Sequence, residues 1–504
     1  MKSQPKRLSI LSLPEARELY SVPTFPLHER EYFFTLTDDE LVFVNRLNLH
    51  RNRIHLILML GYFKLKPVCL TYRWGDIVED YNYVAERYFP SATRKKKNLN
   101  RQTRSRLYNL VFAMVGYQRC DQSVCLDLLN QLERRAKSYI DETQLFHDAI
   151  AFLKLKEVAI PRYSTLQNII SNAINTEETR LSQLMGKHLP NHESFTRLLD
   201  SDEKQGKFND LKKMAKAYKS GENKREISRH QTLTELSKDA FRVIENLKLT
   251  EGNIRYFATR CQKYNIRDLR ELKPEKALIY LTCFVATRLR ISNDILTLSF
   301  LVAYKAFDDQ AKVYREDCAS RQALELASHI ENVPLLLNLF VDDSIKNNVA
   351  FGSVRNSAFD IISKDNIPLV SQKMSSVKPD KAFFKWEYID NQFRQIITNL
   401  RPLLRVLDFG CRCNTVLDQQ IKSVKAALHS KELAPAIDGR LMKRNDKKYL
   451  KEDSAGDERH KKIIAHRNEI YLYKLLDEGI RNGDVFVKDS LEYRSFDDYL
   501  VPAR

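Results

Sequence analysis

Basic residues crowd one stretch of the chain and give its clearest chemical signal. Residues 91–117 read SATRKKKNLNRQTRSRLYNLVFAMVGY and contain no acidic residue. Cations are disfavoured at the start of a helix because the helix dipole is positive there, so an anionic partner would explain them. We predict nucleic-acid contact in preference to a solvated basic loop. The residues concerned are Arg94, Lys95, Lys96, Lys97, Arg101, Arg104 and Arg106.

The second half of this stretch predicts the helix that would position the basic residues. Its apolar residues recur at three- and four-residue spacing, the pattern of a helix packed on a core. Thr103 is suited to cap the N-terminus of this helix, and Gly116 is suited to end it. The apolar residues are Leu107, Leu110, Val111, Met114 and Val115.

A weaker basic cluster lies earlier in the chain. Thr37 and Glu40 form a capping box that opens a helix. The chain then continues through Arg51 and Arg53 into an apolar helix, which Gly61 and Tyr62 are expected to close, with Lys64 and Lys66 just beyond. We predict DNA contact through Arg51 and Arg53, and ordinary surface charge explains the cluster equally well.

A third candidate site follows two amphipathic segments. Residues 145–153 predict one helix, 157–161 a turn, and 166–170 the next helix, capped by Ser164 or Thr165. In a helix-turn-helix, the second helix presents its first turn to the major groove, and its amides bind phosphate. A partnerless helical hairpin has the same pattern, so both interpretations stay open. The residues concerned are Arg162, Tyr163, Ser164 and Thr165.

Composition predicts a mainly α-helical protein. The chain of 504 residues contains only 13 glycines, well below the usual share of about 7%. Parallel α/β folds and β-sandwiches use glycine at their turns, so this scarcity favours helices with short polar connections. A little β structure is expected near the C-terminus, where Asn482-Gly483-Asp484 marks a turn before Val485–Val487.

Charge narrows the class of partner. The formal net charge of +18 suits a polyanion, either DNA, RNA or an anionic membrane surface. The longest apolar runs, 54–63 and 278–286, are far shorter than the roughly 20 residues that cross a bilayer. The N-terminus lacks the apolar core of a secretory signal. We therefore expect no membrane insertion and a cytoplasmic protein.

Catalytic and metal-binding patterns are missing from the sequence. The eight cysteines do not have zinc-ligand spacing, and no phosphate-binding glycine loop or HExxH motif occurs. Adjacent aspartates, as at Asp308-Asp309, point in different directions and suit capping or solvation better than metal-dependent phosphoryl transfer. We predict a binding protein with no catalytic residue, no metal and no cofactor.

Four segments together resemble the large replicative transposases of bacterial unit transposons, the Tn-three family. They occur in the family's order and span nearly the whole chain. They read LSILSLPEARELYSVPTFPLHEREYFFTLTDDELVFVNRLNLHRNRIHLILMLGYFK, RQTRSRLYNLVFAMVGYQR, IPRYSTLQNIISNAINTEETRL and RNGDVFVKDSLEYRSFDDYLVPAR.

The resemblance implies a sequence-specific DNA-binding protein. In that family, helical modules in the N-terminal half recognise the terminal inverted repeats of the transposon. An RNase-H-like domain follows, with an Asp, Asp, Glu triad that binds divalent metal and cuts DNA. No triad member can be placed on this chain, so it is expected to be inactive alone, as a natural truncation, a decayed copy or an isolated DNA-binding half. The resemblance also implies that the protein is bacterial and associated with the nucleoid.

The expected organisation has five parts and one main partner, double-stranded DNA, with a possible homodimer. A basic helical scaffold that binds RNA, non-specific DNA or an acidic protein is the alternative. The parts are 1–90, an N-terminal helical DNA-binding module; 91–190, a second module with the helix-turn-helix; 191–235, a linker; 236–400, a helical domain; and 401–504, a helical connector leading into the missing catalytic domain.

Overall fold

A computed structural model describes most of the chain. The described residues are 10–90, 98–188, 193–199, 206–215, 220–346, 348–375, 381–451 and 457–500. The chain is 74% helical, with a small two-stranded sheet near the C-terminus. The prediction of a mainly α protein with a little β structure is therefore confirmed.

The chain divides into two compact units. Met1–Gly206 and Lys238–Thr287 form the first, and Lys207–Ser237 and Arg288–Arg504 form the second. The five-part organisation stays a prediction. The helices, in chain order, are α1 (Leu13–Tyr20), α2 (Leu27–Phe34), α3 (Asp38–Asn45), α4 (His50–Leu65), α5 (Trp74–Tyr88), α6 (Arg101–Val115), α7 (Gln122–Ser138), α8 (Glu142–Leu155), α9 (Tyr163–His188), α10 (Glu193–Leu199), α11 (Lys207–Leu211), α12 (Ser220–Asn246), α13 (Glu251–Lys263), α14 (Ile266–Glu271), α15 (Pro274–Ile330), α16 (Val333–Asn338), α17 (Phe351–Ile361), α18 (Asn366–Ser375), α19 (Lys381–Val406), α20 (Thr415–His429), α21 (Lys447–Leu450), α22 (Glu458–Asn482) and α23 (Phe496–Leu500).

Helix α4 is central to the first unit. Every residue from Ile54 to Phe63 is buried. The expectation that Gly61 and Tyr62 close this helix is wrong, because it continues to Leu65. Gly61 serves packing instead, since a Cβ there would lie 2.5 Å from the ring of Phe34. The predicted capping box of α3 is present, with the Thr37 hydroxyl accepting from the Glu40 amide.

Helix α6 starts earlier than predicted. Asn100, not Thr103, is the N-cap, and its Oδ1 accepts a hydrogen bond from the Thr103 amide at 2.7 Å. The predicted end at Gly116 is confirmed, because this residue takes a φ of 73°, which glycine adopts without a steric penalty. The buried face also differs from the predicted stripe: Leu110, Met114 and Val115 are only partly covered. The buried residues are Leu107, Tyr108, Val111 and Phe112.

The second unit packs α19, α20 and α22 around one apolar core. Strands β1 (Phe409–Cys411) and β2 (Val485–Val487) pair antiparallel, with Phe409 opposite Val487. The predicted strand is β2. Its partner β1 was not predicted, because its three residues have no alternating pattern of apolar and polar residues. Residues 220–235, within the predicted linker 191–235, lie in α12, where Glu226 and Leu233 are buried.

Candidate nucleic-acid interface

Helices α4 and α6 run side by side in the same direction. Near their C-terminal ends, the ring of Phe63 lies 5.6 Å from that of Phe112. Toward their N-terminal ends, Tyr72 joins the two helices. Its hydroxyl lies 3.3 Å from Nδ1 of His55 on α4, and its ring lies under the guanidinium of Arg104 on α6. The two N-termini therefore lie on the same side of the first unit.

This arrangement brings two of the predicted basic clusters together. We call the N-terminal turns of α4 and α6 the basic face. No acidic residue occurs in the first turn of either helix. The positive ends of two helix dipoles and the arginine charges thus act at one place, which favours an anion. The arginines of the basic face are Arg51, Arg53, Arg101 and Arg104, and Arg106 follows in the second turn of α6.

Arg104 is held half-buried against an aromatic ring. Its guanidinium carbon lies 5.4 Å from the centroid of the Tyr72 ring, a cation–π distance. Its Nη2 donates to the Tyr72 carbonyl oxygen at 3.4 Å, and its buried Nε has no hydrogen-bond partner. No carboxylate among the described residues neutralises this charge.

Arg51 is similarly unpaired. It lies near Tyr81, whose pKa is raised by burial, while the Arg51 charge opposes that rise. The Nε of Arg51 is buried without a hydrogen-bond partner, and no ion pair of this residue is recorded in the described part of the chain. The ring of Tyr81 lies 4.8 Å from that of Trp74. Tyr72, which contacts Arg104, and Tyr81, which lies near Arg51, were not singled out by the sequence motifs.

Arg53 contributes to the fold. Its Nε donates to the Leu47 carbonyl oxygen at 2.6 Å, and its Nη2 donates to that of Asn45 at 3.1 Å. The side chain thereby satisfies carbonyls at and just beyond the C-terminus of α3. Its guanidinium also lies 5.9 Å from the ring of Phe89. Two of the five guanidinium donors are thus used within the fold.

Arg101 and Arg106 are exposed on α6, with no hydrogen bond or ion pair among the described residues. The predicted contacts Arg94, Lys95, Lys96 and Lys97 lie outside the described residues. The chain on either side of them reaches the basic face. Phe89 packs 5.3 Å from the His50 ring at the start of α4, and Asn100 caps α6.

Lys64 and Lys66 do not join Arg51 and Arg53. They lie at the other end of α4, about 20 Å away at 1.5 Å per helical residue. Lys64 pairs with Glu40 at 2.7 Å. The earlier basic cluster is thus divided between the two ends of one helix.

The predicted site at Arg162 is built differently. Helix α9 begins at Tyr163, so Ser164 and Thr165 lie in its first turn and do not cap it. The Tyr163 hydroxyl accepts hydrogen bonds from the Ile10 and Leu11 amides, at 3.1 and 2.9 Å. No hydrogen bond or ion pair among the described residues connects this site to the basic face.

The connection that precedes α9 is longer than the turn of a compact helix-turn-helix. Residues 156–162 join α8 to α9, and Val158 and Ile160 form single β-bridges with Gln118 and Val68. Arg162 is exposed near Cys69, whose pKa burial raises to about 11, against the opposing charges of Arg119 and Arg162. The helix-turn-helix interpretation stays a prediction.

The described residues offer no cluster of three His, Cys, Asp or Glu side chains that could hold a metal ion. Asp308 is engaged in ion pairs with Lys312 and Lys385, each at 2.8 Å. Nor does any described helix have the length and apolar character needed to cross a membrane.

The basic face falls within a recognised domain. Residues 10–173 match the family described as Domain of unknown function (DUF4158). This domain is found in transposases of the Tn-three family. Comparison with curated proteins gives no match. The class indicated by this segment is thus a transposase-associated helical domain, and it contains α4, α5 and α6.

Proposed function

We propose that this chain binds duplex DNA sequence-specifically at the terminal inverted repeats of a transposon, as the N-terminal part of a transposase in replicative transposition. The presence of a DUF4158 domain supports a role in transposition. The basic face supports DNA as the ligand, and its position inside this domain connects the two arguments. A cytoplasmic, nucleoid-associated location is part of the proposal.

One observation carries the assignment: Arg51 and Arg104 are half-buried at neighbouring helix N-termini without a carboxylate partner. Two other half-buried arginines among the described residues, by contrast, have a carboxylate partner. Arg30 lies 2.7 Å from Asp80, and Arg401 lies 2.6 Å from Glu469. Holding a partly desolvated guanidinium unpaired costs stability, and a phosphate oxygen is a strong hydrogen-bond acceptor for it.

The start of α4 adds free backbone donors to this surface. Its N-cap is Leu49, which provides no side-chain hydrogen bond to the first turn. The amides at this end are therefore available to a phosphate group, as at other anion-binding helix termini. Leu49 and His50 are exposed, so the end of the helix is accessible.

The experiment measures DNA affinity as a function of salt. The probe is a duplex with a Tn-three-type terminal inverted repeat, and the competitor is a duplex of the same composition in shuffled order. Replacing Arg101 and Arg104 with Gln should weaken binding and reduce the log–log salt slope by about 1.8, because each neutralised phosphate contributes about 0.9. Fluorescence anisotropy at several salt concentrations gives both quantities.

The matched control carries Arg134→Gln and Arg255→Gln, which remove the same charge from exposed positions on α7 and α13. It should retain the wild-type slope. Equal losses in the two variants would reject the basic face as the binding surface. Equal competition by shuffled DNA and by RNA would reject sequence-specific DNA binding and favour the scaffold alternative.

A further inference from the structure

Helix α6 presents a second surface, which contains no arginine of the basic face. On the side directed away from the core, Gln102, Arg106 and Asn109 are exposed at spacings of i, i+4 and i+7. We infer that these three residues read base edges in the major groove. The inference rests on the proposed DNA-binding function and deepens it.

The helix geometry separates this stripe from the packed side. At 100° per residue, the three side chains fall within an arc of about 60°. The buried Leu107, Tyr108 and Val111 lie on the opposite side, against the rest of the first unit. The exposed Ala113 continues the stripe with a small side chain. A helix supported on one side and polar on the other has the form of a recognition helix.

The chemistry of the stripe matches base recognition. Arginine donates two hydrogen bonds to guanine O6 and N7, and asparagine or glutamine forms a bidentate pair with adenine N6 and N7. No hydrogen bond or ion pair of Gln102, Arg106 or Asn109 is recorded within the described residues, so their polar groups are available. Helix α6 contains no acidic residue that would repel the phosphates bordering the groove.

The other candidate helices are less suited to this task. Because Ile54–Phe63 are buried, α4 can offer only its N-terminal end to DNA. The first turn of α9 contains Tyr163, which is engaged with the N-terminal segment. Helix α6 combines a free polar side with a length of about 22 Å, enough to follow the groove across several base pairs.

This assignment gives two arginines of α6 different tasks. Arg104 and Arg106 project about 160° apart around the helix axis. Arg104 lies on the packed side against the ring of Tyr72, and it serves phosphate binding at the helix ends. Arg106 lies on the outer side between Gln102 and Asn109, where it serves base reading.

The test is binding-site selection from duplex DNA with a randomised central segment, using the full chain. Two variants change base reading without changing charge: one combines Gln102→Ala with Asn109→Ala, and the other is Arg106→Lys. Lysine keeps the charge for a phosphate but loses the bidentate fork. The control, Asn130→Ala with Gln131→Ala, removes exposed amides from α7. Thermal unfolding checks that each variant is folded.

The wild type and the control should select one motif, and each α6 variant should lose preference at adjacent positions. Each lost pair should reduce discrimination by roughly fivefold to 150-fold, while affinity for non-selected DNA stays unchanged. Selection of the wild-type motif by both α6 variants would overturn the inference and leave DNA binding intact. DNA binding by the wild type without any motif would overturn both the inference and sequence-specific recognition. No DNA binding at all would instead reject the proposed function.

Discussion

The Nε of Arg53 donates a hydrogen bond to the Leu47 carbonyl oxygen at 2.6 Å, across the connection between α3 and α4. Arg51, two residues earlier, has no such bond to the backbone within the described residues. One short basic motif therefore contains a residue that stabilises the fold and a residue that is free to bind. Charge alone does not distinguish them, whereas hydrogen-bonding partners do.

Replacing Arg53 with Ala should lower the free energy of unfolding of the first unit by about 1 to 2 kcal/mol, because it removes hydrogen bonds from a charged group to two carbonyls. Arg51→Ala should change it by less than about 0.5 kcal/mol, since no hydrogen bond is lost. Urea unfolding followed by Trp74 fluorescence, in a Trp386→Phe background, measures both. The DNA affinity of the same two variants is then measured by titration. There, Arg51→Ala should weaken binding, and similar stability losses in the two variants would contradict this division of roles.

Local patterns predicted local structure well. The capping box at Thr37, the end of α6 at Gly116 and the strand at Val485–Val487 each depend on neighbouring residues, and each is present. The prediction that Gly61 ends α4 was wrong because glycine both ends helices and permits close packing within them. Only the position of the Phe34 ring distinguishes the two roles.

The sequence identified the arginines of the basic face, but it could not show that they lie close together. Arg51 and Arg101 are 50 residues apart, and no periodicity connects them. Their proximity depends on the parallel packing of α4 and α6, in which Phe63 meets Phe112. The stripe of Gln102, Arg106 and Asn109 was not predicted from the sequence, because it is distinguished only by the position of the buried side of α6.

Tyr163 also combines a predicted binding position with a role in the fold. Because its hydroxyl accepts from the amides of Ile10 and Leu11, Tyr163→Phe should loosen the chain before α1. Faster deuterium uptake by the amides of residues 10–12 is the expected result. Tyr20→Phe removes a neighbouring hydroxyl that bonds to the Pro161 carbonyl, and it serves as the control. If Tyr163→Phe abolished DNA binding without changing exchange, Tyr163 would be a direct DNA contact.

The second unit contains a pH-sensitive contact at His230. Its Nε2 lies 2.7 Å from Oδ1 of Asn293, whose amide nitrogen donates to the carbonyls of Lys488 and Asp489. This orientation makes Nε2 of His230 the hydrogen-bond donor to Asn293. Burial lowers the pKa of His230 below its ordinary value of 6.5, although the Asn293 hydrogen bond and Glu226 oppose the shift.

The lowered pKa of His230 makes the stability of this unit depend on pH. Below about pH 6.5 the unfolded chain takes up a proton that the folded ring resists, so the free energy of unfolding should be greatest above this value and fall as the pH decreases. His230→Gln, which retains a donor toward Asn293, should show a weaker decrease between pH 7.5 and 5.5. Burial also lowers the pKa of His466, so part of the decrease should remain. Urea unfolding followed by Trp386 fluorescence, in a Trp74→Phe background, isolates this unit. The exposed His429→Gln variant should keep the wild-type dependence, and an equally steep decrease in His230→Gln would exclude His230 as a source of it.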